Sequence, residues 1–170
     1  RIKDLPVRAK ELGMNSIALT DHGVMFGAID FYKACKANGV KPIIGCEAYV
    51  APRGRKDKEP KIDEKYNHLI LLAKNNDGYK NLAKLVSLGF TEGFYYKPRI
   101  DKEILEKYHD GLICLSACLA GEVSQAILNN NIEDLTKKKN NLQDAYDNAV
   151  KKKSNGESLS SDEKNTISKY

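Results

Sequence analysis

Short apolar runs alternate with amphipathic stretches through the first 130 residues, and this alternation constrains the fold more than any other feature. Residues 5–12 have helical spacing, with Pro6 tolerated in the first turn and Gly13 as the stop. The run 16–20 reads as a buried strand that ends abruptly at Asp21-His22-Gly23. Residues 24–38 read as a helix, with Met25, Ala28, Ile29, Tyr32 and Cys35 on one face and Asn38-Gly39 as its end. Residues 40–50 read as a strand, 51–65 as a polar loop and 68–73 as a buried strand. Further on, 77–88 is an amphipathic helix with Tyr79, Leu82, Leu85 and Val86 inward, and 101–108 a short helix capped by Asp101. A strand over 112–115 and a helix over 121–129 follow. Strands separated by helices predict a parallel sheet, either open or part of a barrel.

The last 40 residues differ. Only 10 of residues 131–170 are apolar, against 41% for the whole chain. Lysine runs at 137–139 and 151–153 and a serine-rich stretch place a boundary near Asn130. Residues 1–130 are expected to form one domain. Residues 131–170 are expected to form a charged helical or flexible tail, helical to about Lys153, with a short helix capped by Ser161.

Lys plus Arg total 28 against 23 Asp plus Glu, for a net charge of +5. The charge is spread, so it neither requires nor excludes a nucleic-acid partner. No apolar run approaches the roughly 20 residues needed to span a bilayer. The first residue is Arg, and no signal-peptide core follows it, which suggests a piece of a longer protein. Cys35, Cys46, Cys114 and Cys118 form no C-x-x-C pair and fit a reducing compartment better than a disulfide framework.

In α/β folds, chemistry gathers where strands end. Asp21 and His22 end the first strand, Glu47 sits late in the second, and Ser116 and Cys118 follow the fourth. His68 is the awkward member, because it leads its strand; a strand starting near Lys65 would turn it inward. Imidazole, carboxylate and thiolate together are a metal-binding set suited to zinc, manganese or iron. Asp21 would then support the ligands or cap the next helix. The competing reading is bland: a lone histidine is more often a core residue satisfied by a neighbour, and a lone glutamate a surface group. His109 looks like a turn residue, and the loop Arg53-Gly54-Arg55-Lys56 reads as a solvated basic loop rather than a phosphate site.

Several ordered blocks resemble a known family. They are Thr20-Asp21-His22-Gly23, Gly45-Cys46-Glu47, Asn67-His68-Leu69 and Ser116-Ala117-Cys118-Leu119. Together they resemble the PHP (polymerase and histidinol phosphatase) domain, in the form found in the alpha subunit of bacterial DNA polymerase III. The block Phe94-Tyr95-Tyr96-Lys97-Pro98-Arg99 also looks polymerase-like. The resemblance covers about residues 1–130 and implies a fragment of a distorted (βα)7 barrel, followed by the polar helical tail. It implies divalent metal ions, zinc or manganese, held by His22, Glu47, His68 and Cys118, with Asp21, His22 and Glu47 in catalytic roles. The family's His-x-His and Asp-x-His motifs do not occur in these 170 residues, so the cluster is expected to be incomplete.

For the parent protein the resemblance implies DNA-directed DNA polymerase (nucleotidyltransferase) activity in DNA replication. It adds a metal-dependent 3′–5′ exonuclease or phosphoesterase site in this domain. Implied partners are DNA, the remainder of the polymerase chain, and other replicase subunits such as a proofreading exonuclease or sliding clamp. The implied location is the cytoplasm, with no membrane. The alternatives are a free-standing phosphatase of the histidinol phosphatase type, or a metal-free structural barrel that docks a proofreading subunit.

Overall fold

A computed structural model describes residues 1–129, Asn155 and Ser160. The tail helix expected to Lys153 and the short helix expected after Ser161 lie outside the described residues. The chain divides into two compact units, Arg1–Ser124 and Gln125–Tyr170, and the fold described below is that of the first.

The elements follow the apolar pattern closely. They are α1 (Asp4–Glu11), β1 (Ser16–His22), α2 (Ala28–Asn38), β2 (Lys41–Val50), β3 (Asn67–Ala73), α3 (Asn76–Thr91), β4 (Arg99–Ile100), α4 (Lys102–Lys107), β5 (Leu112–Leu115) and α5 (Glu122–Leu128). Left-handed Gly39 closes α2, and the side chains of Asn75 and Asp101 cap α3 and α4 by accepting from Gly78 N and Ile104 N. α2 starts later than its spacing predicts, because Gly23 is left-handed at φ 70° and the chain turns before helix can begin. No described helix is long and apolar enough to cross a membrane.

The five strands form one sheet in the order β1-β2-β3-β5, with β4 beside the end of β2. The sheet is mixed, not all-parallel as the alternation predicts. β1 and β4 run parallel to β2, but β3 is antiparallel to both β2 and β5. The reason lies in the connection. No helix intervenes between β2 and β3, and without a crossover element the chain returns antiparallel. The two-residue β4 was not anticipated, since so short a pairing carries no periodicity.

Register separates the two faces of the sheet. On one face Cys46, Ala48, Val50 and Leu71 pack with Leu82 and Leu85 of α3 and with Ile100 and Ile104 to form the core. The other face carries the paired positions His22↔Glu47 and Tyr49↔His68, and beyond them Ile70↔Leu115. Ile113 and Leu115 on that face are exposed. Burial along α2 is narrower than predicted: Ala28, Phe31 and Cys35 are buried, whereas Ile29 and Tyr32 are exposed. At about 100° per residue, Ile29 and Tyr32 fall off the contact stripe. They line a groove of about 410 Å³ with Pro42, Ile44 and Tyr79.

Candidate metal centre

The reversed direction of β3 builds the site. Because β3 runs against β2, its first residues meet the last residues of β2, with Tyr49 opposite His68 and Val50 opposite Asn67. His68 therefore reaches the edge where β1 and β2 end without any extension of its strand to Lys65. β1 itself runs on through Asp21 and His22, two residues past its expected end.

Glu47 stands between two imidazoles. Its Oε2 is 3.3 Å from His22 Nε2, and its Oε1 is 2.5 Å from His68 Nδ1. Cys118 Sγ lies 3.3 Å from the same His68 Nδ1. Ligand atoms of Glu47, His68 and Cys118 all fall within 4.8 Å of one another. His22 joins this group through Glu47, and its side chain is largely exposed. One carboxylate, one thiol and one or two imidazoles at this spacing fit a divalent transition-metal ion.

Local backbone delivers each donor. The strap after β5 is clamped to the start of β3, where His68 N donates to Ala120 O at 3.0 Å. Gly121 N donates to Cys118 O at 2.9 Å, and Ala117 is left-handed at φ 61°. A Cβ on Gly121 would lie 2.1 Å from Ser116 O, so this turn requires glycine. Gly23 N donates to Glu47 O at 2.8 Å and fixes the residue after His22 against β2.

Asp21 goes elsewhere. Strand alternation turns it to the helical face, where its Oδ2 accepts from Gly27 N at 3.0 Å at the start of α2. Its backbone carbonyl accepts from Cys46 Sγ at 3.5 Å. Cys46 is fully buried, and burial pushes its thiol up to about 12, so it is a packing residue. The structure thus brings together His22, Glu47, His68 and Cys118, and separates Asp21 from them. His109 is exposed, with Nδ1 2.6 Å from Glu106 O, and stands in a turn as expected.

Two sets of neighbours were not legible in the sequence. Tyr66 stacks on His68, with centroids 5.8 Å apart and planes at 11°, and Tyr49 tilts against both rings. The second set overturns the reading of 53–56 as a solvated basic loop. Arg55 is buried and bonded to Asp101, Glu92 and Glu103. Burial opposes the Arg55 charge, but those acidic partners more than offset it and raise its pKa. Arg53 forks onto buried Asp63, with Nε 3.1 Å from Oδ1 and Nη2 2.5 Å from Oδ2. That pairing holds the Asp63 carboxyl below its ordinary range. Arg99 is completely buried and donates to four backbone carbonyls, those of Gly93, Asp63, Arg55 and Asp57. The nearly even mixture of acids and bases in residues 53–64 was the one available hint that charges in this loop are paired.

Comparison with known proteins places the chain in a family. Residues 1–153 match the model of the PHP domain, a span that runs beyond residue 130. The DNA polymerase III subunit alpha of Chlamydia muridarum is 57% identical over 128 residues, which is 75% of this chain and 10% of that protein. The protein of the same name from Borreliella burgdorferi is 55% identical over 135 residues, 79% of this chain and 12% of the relative. That of Helicobacter pylori strain 26695 is 50% identical over 131 residues, 77% of this chain and 11% of the relative. The chain spans about a tenth of the length of these relatives. A solved structure of a proposed metal-dependent phosphoesterase from Bifidobacterium adolescentis is 16% identical with a TM-score of 0.34, covering 52% of this chain and 29% of its own; so low a likeness carries no argument. By the extent of the family match and the identity of its relatives, this chain belongs to the PHP domain family.

Proposed function

We propose that the chain is the PHP-domain portion of a bacterial replicative DNA polymerase III alpha subunit, and that its strand edge is a divalent-metal phosphoesterase site. The observation that carries the second half is Glu47 in reach of both imidazoles, with Cys118 against one of them. The relatives' shared name supports the first half.

In this reading, His22, Glu47, His68 and Cys118 hold zinc or manganese. The chemistry a bound ion supplies here is Lewis acidity toward a phosphate oxygen and activation of water. Glu47 contributes negative charge that orients both imidazoles. His22, whose side chain is largely exposed, faces arriving substrate. Asp21 acts through position, by tying the start of α2 to the strand that carries His22. The substrate class is the phosphodiester of a nucleic acid, and the reaction a 3′–5′ exonucleolytic cleavage. DNA, the rest of the polymerase chain and other replicase subunits are its partners, in the cytoplasm.

The sheet is read as part of a distorted (βα)7 barrel whose interior is the helix-free face. Exposed Ile113 and Leu115 beside the donors favour that reading. Residues 1–130 form the domain and 131–170 the charged tail.

The test measures manganese and zinc content and manganese-dependent nucleotide release from single-stranded DNA by the full-length protein, before and after His22→Ala. Loss of bound metal and of release supports the site. Release unchanged in the variant refutes it. A metal-free wild-type protein that still assembles with its replicase leaves a purely structural barrel.

A further inference from the structure

We infer that Lys97 and Tyr66 form a wall that holds single-stranded nucleic acid beside the metal centre, Lys97 contacting a phosphate and Tyr66 stacking on a base. The inference rests on the phosphoesterase reading and extends it to residues that bind no metal.

The wall is built by a tight turn. Tyr95 N donates to Lys97 O at 3.0 Å, and Tyr96 between them is left-handed at φ 57°. The turn folds the chain back, so that Pro98 packs beside Gly23, the residue after His22. A Cβ on Gly23 would stand 3.2 Å from Pro98 Cγ. Lys97 Nζ then sits 5.7 Å from the centroid of Tyr49, whose ring is itself 5.5 Å from that of His68. The ammonium is thus one aromatic ring away from a proposed ligand. Lys97 is exposed and forms no ion pair among the described residues. Arg53, Arg55 and Lys102, by contrast, are each paired with carboxylates. An unneutralised cation held at the mouth of a phosphoester site is suited to a phosphate other than the reacting one.

Tyr66 supplies the second contact. It is stacked nearly parallel on His68 and is half-buried, so an aromatic surface stands beside the imidazole. Rings placed this way accept nucleobases with little sequence preference. A small phosphomonoester would use neither Tyr66 nor Lys97, whereas a strand end would use both.

The experiment measures binding of fluorescein-labelled (dT)6 to the full-length protein across a salt series without divalent ions, with manganese uptake measured separately. Lys97→Gln is expected to reduce the slope of log affinity against log salt by about 0.7, the share of one single-strand phosphate contact. Tyr66→Leu is expected to weaken binding about fivefold or more, and Tyr66→Phe to restore it, with no such difference on an abasic oligonucleotide. An unchanged slope in Lys97→Gln together with unchanged affinity in Tyr66→Leu overturns the inference, as does a wild-type protein that binds no oligonucleotide. If manganese is taken up normally in that case, the metal-site reading survives. If the wild type takes up no metal, that reading falls whatever the wall does.

Discussion

Tyr49 and His68 face each other across the antiparallel β2–β3 ladder, and this pairing carries the histidine of β3 to the edge where β1 and β2 end. Their rings lie 5.5 Å apart, with Tyr66 stacked behind His68. The donor set therefore depends on strand direction as much as on residue type. A parallel β3 would have sent His68 to the opposite edge, far from Glu47.

Glu47 is the hub of the donors, so Glu47→Gln tests the cluster with little change of shape. Manganese or zinc affinity, measured by competition with a chromophoric chelator, should fall about tenfold or more. Unchanged affinity would remove Glu47 from the ligand set.

Arg99 has no substitute in lysine. One ammonium cannot reach four carbonyls arranged around a planar fork. Arg99→Lys should destabilise the domain by about 2–4 kcal/mol, read from the denaturant midpoint. Because Asp63 O is one of those acceptors, the connection leading to Tyr66 and His68 should become protease-sensitive before the core does.

Acid should loosen the same region. The guanidinium of Arg53 holds Asp63 below its ordinary range, and for Asp101 bonds from Arg55 and Ile104 outweigh a burial that works against its charge. Folded-state values that lie below unfolded ones give stability that is fully present above the unfolded carboxylate range of about 4. It is lost as pH falls through the depressed folded values. Thermal midpoints should thus be level near neutrality and drop in acid, and Asp101→Asn should flatten part of that drop.

Gly23 follows His22 and is left-handed at φ 70°, with room for a Cβ only 2.6 Å from Tyr49 Cε2. Gly23→Ala combines backbone strain with a clash against the ring that supports His68. A loss of about 1–3 kcal/mol is expected, accompanied by weaker metal uptake. A fully stable variant with normal uptake would show that this turn relaxes freely.

Much of the fold was legible because burial leaves a periodic trace. The runs 16–20, 40–50, 68–73 and 112–115 all became strands, and Gly39 and Asp101 sit at helix ends. His22, Glu47 and Cys118 could be singled out because each interrupts or follows an apolar run at a strand end. Asp21 drew attention for the same reason, yet alternation along β1 sends its carboxylate to α2.

Charge type misled at Arg55, since arginine usually marks solvent and here lies buried among acids. Nor did periodicity reveal β4 or the stacking of Tyr66 on His68.

The amino-acid order alone determined which longer segments are strands and helices, and which imidazole, carboxylate and thiol side chains lie at or near the strand ends. These are local properties, written in the spacing of apolar residues along the chain. Tertiary structure decided that β3 runs backward, that His68 thereby meets Glu47 and Cys118, and that the arginines of the 53–56 loop find carboxylate partners. Those outcomes depend on pairing between residues far apart in sequence, and an apolar run looks the same whichever way its strand runs.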